Sequence, residues 1–246
     1  MKTIVLCGGR GTRLKPLTEV MPKTLVPLNG KPCLQHILES HIRRGQREFV
    51  LCVGYRGEMI ADFIKRHPFE AEIEFSDAGE DASMLQRLVQ AQPLIGERAF
   101  VVYGDTLIDV DSAAMTAAHL ANQAAITLTT AEVKSPFGLL TMDRDQWIRS
   151  YEEKPVHPFY VGHMLLETAV LNEITDDLLR MPDGDGLVAF LKRLVQQRRV
   201  RAFPYRGPQI TFNTKQDLDQ AERDLGMFYT QADQSSEARP PGSRQS

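Results

Sequence analysis

Ile4-Val5-Leu6-Cys7-Gly8-Gly9-Arg10-Gly11-Thr12-Arg13 is the stretch on which the fold of this chain turns. Its first four residues are apolar, with the length and β-branched content of a buried strand. Three glycines follow within four positions. They free the backbone to approach a ligand closely and to point its N–H groups inward. Arg10, Arg13 and Lys23 bring fixed positive charge to the same neighbourhood. Bare N–H groups and cations at the carboxyl end of a first strand make a phosphate site.

Spacing excludes the two commonest phosphate sites. A dinucleotide fingerprint counted from Gly9 and Gly11 needs a third glycine where Leu14 stands. A Walker A loop needs Gly-Lys-Ser/Thr, but Gly30-Lys31 is followed by Pro32 and has no glycine five residues before it.

The rest of the composition narrows the class. The chain has 246 residues, a formal net charge of -3 and 42% hydrophobic residues, enough for one substantial core. A near-neutral balance argues against a nucleic-acid partner, whose backbone calls for a basic excess. The local cluster of Arg10, Arg13, Lys15 and Lys23 suits a small polyanion instead. No apolar stretch approaches the roughly 20 residues that cross a bilayer, and Ile4 to Cys7 is too short for the apolar region of a signal peptide. Cys7, Cys33 and Cys52 are odd in number and look like small buried hydrophobes, so neither a disulfide framework nor a cysteine metal site is expected. The cytoplasm is the expected compartment.

Strand and helix patterns alternate through the first half. Strands are expected at 4–7, 47–53, 72–75, 98–103 and 125–133, and helices at 32–44, 57–67, 83–91 and 112–121. This order implies parallel βαβ units in a sheet covered on both faces. The segments 139–142, 147–151 and 160–166 read as strands without helices between them, a mixed region capping the carboxyl edge of the parallel sheet. Helices at 167–180 and 186–198, a strand at 200–204 and a helix at 215–227 complete one domain, 1–230. From 231 to 246 the chain loses its apolar residues, and a disordered tail is expected.

Gly-Gly-x-Gly-Thr-Arg-Leu-x-Pro-Leu-Thr from Gly8, followed by Pro22-Lys23-Thr24-Leu25, closely resembles the signature of the sugar-1-phosphate nucleotidylyltransferases. The resemblance implies a Rossmann-like α/β fold with a mostly parallel mixed sheet, of the nucleotide-diphospho-sugar transferase type. It implies an enzyme that joins a nucleoside triphosphate to a sugar 1-phosphate with Mg²⁺, releasing pyrophosphate. By the same resemblance Arg13 holds the leaving phosphates, and Lys23 bridges the α-phosphate and the incoming phosphate. Cys7, Gly8, Gly9, Arg10, Gly11 and Thr12 form the nucleotide loop. Gly104-Asp105, at the end of the apolar strand Phe100 to Tyr103, is the family's metal position.

Asp77-Ala78-Gly79 and Arg87-Leu88 resemble the base-reading segment of the glucose-1-phosphate cytidylyltransferase branch, although Leu85 and Gln86 replace two glycines. Gly138, Glu153-Lys154 and Gly162 fall in the sugar-phosphate segments, with Tyr160 where many relatives carry asparagine. A carboxylate such as Glu153 can accept from two adjacent hydroxyls, and Lys154 can reach the phosphate. The family's second metal aspartate is missing. One alignment puts Thr211 in its place and the other Asn213, whose amide oxygen can still coordinate a hard cation. That departure leaves open a non-catalytic nucleotide-sugar-binding homologue, and Tyr160 in the place of the asparagine leaves open a cytidylyltransferase acting on phosphocholine or a phosphonate. A homo-oligomer is left open, with Tyr55 and the mid-chain strands as candidate interface.

Overall fold

The computed structural model describes residues 1–237. A seven-stranded sheet runs in the order β12-β8-β11-β6-β1-β4-β5. Its members are β1 (Thr3–Leu6), β4 (Glu48–Val53), β5 (Glu72–Asp77), β6 (Arg98–Tyr103), β8 (Ile126–Lys134), β11 (Val156–Glu167) and β12 (Val200–Tyr205). All pairings are parallel except those of β11, which runs antiparallel to both β6 and β8. The mostly parallel mixed sheet expected from the sequence is the one observed.

Alternation along β1 divides the core. Val5 joins Leu51 and Val102 on one face, under α2 (Cys33–Arg43), α3 (Gly57–Arg66) and α8 (Lys215–Glu237). Ile4 joins Val50 and Val101 on the other, under α4 (Met84–Ala91) and α7 (Asp185–Gln196). A strand buried on both faces must be apolar at every position, which is why Ile4 to Cys7 shows no polar alternation. A third cluster sits beneath α5 (Ser112–Ala121) and includes Phe100, Met115 and Leu165. The short helices α1 (Leu17–Val20) and α6 (Asp176–Leu179) lie in connections.

Four features depart from the expected elements. The 167–180 segment is not one helix. β11 runs to Glu167, a 3₁₀ turn spans Thr168–Glu173, and only Asp176–Leu179 is α-helical. Thr168 donates its backbone N–H to the Glu97 carbonyl and its hydroxyl to the Gly96 carbonyl, which ties the end of β11 to the segment before β6. Two short pairs were not anticipated: β2 (Pro27–Leu28) with β3 (Lys31–Pro32), and β7 (Thr106–Ile108) with β13 (Gln209–Thr211). α8 continues past Met227 to Glu237, since no glycine or proline interrupts residues 228–237. The tail expected at 231–246 overlaps that last turn, and 238–246 lie outside the described residues.

β8 and β11 pair beyond the end of β6. His163 opposes Val102, while the stretch from Val156 to Tyr160 pairs only with β8, and a bulge separates Tyr160 from Met164. This extension projects past the carboxyl edge of the parallel strands. It carries the hairpin of β9 (Leu139–Met142) and β10 (Ile148–Glu152). The mixed region therefore caps the edge where the phosphate loop begins.

Candidate active site

The loop after β1 is fixed from below by a buried guanidinium. Arg87, on α4, donates to the carbonyls of Gly8 at 3.1 Å and Glu80 at 3.3 Å, and to the Val53 carbonyl. Those carbonyls belong to the phosphate loop, the 77–83 loop and the end of β4. A Cβ on Gly8 would sit 2.2 Å from the Arg87 guanidinium carbon, so glycine there makes room for the crosslink. Arg87 was expected to touch nucleotide. The structure places it beneath the loops instead, as the group that sets their spacing. Desolvation lowers its pKa, but the ordinary value is so high that it stays charged.

Gly11 adopts φ +60°, and a Cβ there would press on the Lys23 and Thr18 side chains at 3.0 Å. The loop thus lies directly against the segment that carries Lys23. Thr18 donates its hydroxyl to the Gly11 carbonyl at 2.9 Å. Tyr55 closes the other side. Its N–H donates to the Gly8 carbonyl and its hydroxyl to the Thr18 carbonyl, so it packs inward on the loop. Gly9, Arg10, Thr12 and Arg13 are exposed, while Cys7 is buried, with its thiol pushed well above the usual range by desolvation.

Arg10 and the 77–82 loop face each other. The Arg10 guanidinium meets Glu80 at 2.9 Å and Asp81 at 3.0 Å, and lies 5.2 Å from the Tyr55 ring centroid. Asp77 accepts from the Gly79 N–H at 2.8 Å and so shapes its own turn. Ser83 and Gln86 form a reciprocal capping box at the start of α4. Gln86, which replaces a glycine of the resembling branch, is therefore engaged at the cap.

The centre of the site joins three residues far apart in sequence. Lys23 Nζ donates to Asp105 Oδ2 at 2.5 Å and to Asn213 Oδ1 at 3.0 Å. Gly104, just before Asp105, donates its N–H to the Leu6 carbonyl at the base of the phosphate loop. Asn213 arrives through β13, whose Thr211 pairs with Thr106 of β7 next to Asp105. Of the two positions proposed for the missing aspartate, Asn213 reaches the centre and Thr211 stays in the strand pair. Asp217 fixes the turn by accepting from the N–H groups of Asn213 and Thr214, both at 2.9 Å. Phe212 is fully buried and supports the ammonium, 5.3 Å from its ring centroid. A carboxylate and an amide oxygen already converge on one cation. Such a pair fits a hard divalent ion whose remaining ligands are phosphate and water oxygens. Among the described residues no cluster of three His, Cys, Asp or Glu side chains offers a closed metal cage.

The segments expected to hold the sugar phosphate are more open. Gly162 occupies the β11 bulge with φ +76°, against the Tyr103 ring. Tyr160 stands edge-on to Tyr103, with centroids 5.9 Å apart. Gly138 lies under the Tyr151 ring, and the Tyr151 hydroxyl donates to Glu153. Glu153 and Lys154 are exposed, 4.0 Å apart. Asp111 caps α5, whereas Asp109 is buried in an ion pair with Arg44.

Comparison with known proteins shows the family and the fold. The family model described as "Nucleotidyl transferase" matches residues 2–198. The Bacillus subtilis (strain 168) protein named "Probable glucose-1-phosphate cytidylyltransferase" is 32% identical over 242 residues, covering 89% of this chain and 93% of its own. The D-glycero-alpha-D-manno-heptose 1-phosphate guanylyltransferase of Campylobacter jejuni is 30% identical over 156 residues, 63% of this chain and 69% of its own. The crystal structure of HddC from Yersinia pseudotuberculosis complexed with GMP-PN has a TM-score of 0.71 at 22% identity, over 91% of this chain and 99% of that one, a likeness of fold. The chain belongs to the nucleotidyl transferase family.

Proposed function

We propose that the protein transfers a nucleotidyl group from a nucleoside triphosphate to a sugar 1-phosphate, releasing pyrophosphate. The observation that carries this reading is the Lys23 ammonium held between Asp105 and Asn213, against the phosphate loop. A phosphate oxygen of the acceptor forms a bond to the α-phosphorus, and the bond from that phosphorus to the bridging oxygen of pyrophosphate breaks. The chain must align two polyanions and offset their charge. Lys23 lies where an ammonium can face both, and the exposed Arg13 suits the leaving phosphates. Asp105 and Asn213 would hold Mg²⁺, which supplies charge neutralisation on the triphosphate when bound. Gly138, Glu153, Lys154 and Gly162 line the acceptor side, and Asp77 and Gly79 the base side. CTP and glucose 1-phosphate are the first pair to try, given the relatives and the Asp77-Ala78-Gly79 segment. Three free buried cysteines suit a reducing compartment, and the cytoplasm is the proposed location. No helix among the described residues is long and apolar enough to cross a membrane.

The convergence of Lys23, Asp105 and Asn213 weighs against a purely binding homologue, which has no need to assemble the three. The test is pyrophosphate release with Mg²⁺, each common nucleoside triphosphate and a panel of sugar 1-phosphates. Release with at least one pair is expected. Asp105→Ala is expected to lower kcat by about 10²–10³-fold, the size of losing one preorganised electrostatic group, with an unchanged melting temperature. Binding without release for every pair overturns the reading.

A further inference from the structure

Arg10 sits in the phosphate loop, yet its guanidinium is committed elsewhere. It bridges two carboxylates of the 77–82 loop, Glu80 Oε2 at 2.9 Å and Asp81 Oδ1 at 3.0 Å. It also lies 5.2 Å from the Tyr55 ring centroid, and the Tyr55 hydroxyl is itself anchored on the Thr18 carbonyl. The loop that Arg10 reaches has no apolar anchor. None of residues 78–82 is buried, and Gly79 turns at φ +89° with nothing within 4 Å of an added Cβ. The hydrogen bonds that tie residues 78–82 to other segments come from two arginines. Arg87 holds the Glu80 carbonyl from beneath at 3.3 Å, and Arg10 holds the Glu80 carboxylate from the phosphate loop. Glu80 is thus gripped at its backbone by one guanidinium and at its side chain by another. Without Arg10 the loop keeps a single tie, and Gly79 leaves it free to pivot about that point.

We propose that Arg10 is a positioning residue: it clasps the 77–82 loop to the phosphate loop and so sets which nucleobase the site accepts. The proposal rests on the nucleotide half of the nucleotidyl-transfer reading, which puts the base beside this loop. Choosing among bases requires the loop's polar groups to stay fixed against one pattern of donors and acceptors. A loop that moves re-pairs with the wrong base and loses discrimination. A guanidinium fork across two carboxylates fixes the loop in angle as well as in distance, which a point charge does not. The clasp also removes a penalty. Without it, Glu80 and Asp81 set two uncompensated negative charges beside the loop that receives a polyanion. All three side chains are exposed, so the contact has the strength of an exposed ion pair. That strength is enough to shift a preference between bases and too little to hold the fold. The guanidinium committed to two carboxylates leaves the phosphates to Arg13 and Lys23.

The experiment is titration calorimetry of the full chain with CTP, UTP, GTP and ATP in Mg²⁺, beside pyrophosphate release with each. The variants are Arg10→Ala, the pair Glu80→Gln with Asp81→Asn, and the charge swap Arg10→Glu with Glu80→Arg. The altered side chains are exposed, so the melting temperature without ligand should hold. The ratio of Kd between the best triphosphate and the next should shrink about two- to five-fold in Arg10→Ala and in the Gln/Asn pair, the size of one exposed ion pair. The charge swap should recover most of that ratio. Salt at about 0.5 M should narrow the ratio in the wild type and leave it unchanged in Arg10→Ala. Weakening shared equally by all four triphosphates in Arg10→Ala, with tighter binding in the Gln/Asn pair, overturns the clasp in favour of a phosphate ligand. An unchanged ratio in either variant, a swap without recovery, or a wild type that binds the four alike also overturns it. Selective binding without pyrophosphate release from any sugar 1-phosphate overturns the transfer reading and leaves the clasp standing. Release with a base preference that Arg10→Ala leaves intact overturns the clasp and leaves the transfer reading standing. A chain that binds none of the four overturns both.

Discussion

The proposed nucleotide side and the proposed acceptor side are held by different means. On the nucleotide side, buried polar groups lock loop to loop. Arg87 donates to three backbone carbonyls, Tyr55 ties Gly8 to Thr18, and Lys23 joins Asp105 to Asn213. On the acceptor side, β9 and β10 are exposed along their whole length, and Glu153 and Lys154 meet each other at the surface. Preorganisation is built where charge must be neutralised, because a fixed dipole or ion needs no reorganisation when the reaction occurs. The acceptor wall is left adaptable, as a low-contact region can be.

The sharpest way to break this contrast is to remove the crosslink. Arg87→Ala should cost about 3 kcal/mol or more, because charge-assisted hydrogen bonds are lost and buried carbonyls are left unpaired. Denaturant unfolding measures it. Glu153→Ala, on the acceptor side, should stay within about 0.5 kcal/mol of wild type, as exposed sites do. Equal losses for the two variants would erase the distinction.

A second test concerns the seam under the β11 bulge. His41 of α2 and His163 of β11 stack with centroids 5.5 Å apart, both buried. Desolvation pushes His41 down to about 4 and His163 well below its ordinary value, against the opposing pull of Asp109 on His41. The folded chain keeps both rings neutral, while the unfolded chain protonates them below about pH 6.5. Their stabilisation is full above that pH and is lost as pH falls from about 6.5 toward 4. The His41 shift alone is worth up to about 3 kcal/mol at 1.36 kcal/mol per unit. Melting temperature should fall between pH 7 and pH 5, and His163→Phe should flatten that slope. An unaltered slope in the variant would place the acid sensitivity elsewhere.

The smallest expected effect lies at the centre. Asn213→Asp replaces an amide oxygen with a carboxylate beside Asp105. The Mg²⁺ concentration for half-maximal rate should fall several-fold, since carboxylates bind hard cations more tightly. A metal titration that does not shift would remove Asn213 from the ion's surroundings.

Most of the scaffold was legible in the sequence, because burial on two faces and helical periodicity are written into neighbouring residues. The errors fell where distant contacts override local preference. Residues 167–180 carry helix formers, yet Thr168 is bonded to the Gly96 and Glu97 carbonyls, and a 3₁₀ turn and one short helix replace the single helix. β7 and β13 are three residues each, too short to show a period, and only Ile210 and Phe212 hinted at alternation. Arg87 was noticed as a motif residue, but its burial under Gly8 could not be read from its neighbours.

The sequence by itself determined the phosphate loop, the mostly parallel sheet and the family, since each depends on residues a few positions apart. Tertiary structure decided that Asn213, and not Thr211, meets Lys23 across 190 positions. It also decided that Arg87 is a buried crosslink. The physical reason is the same in each case. These outcomes depend on which distant segments the fold packs together, Asn213 through the β7–β13 pair and Arg87 through α4 against the loop after β1.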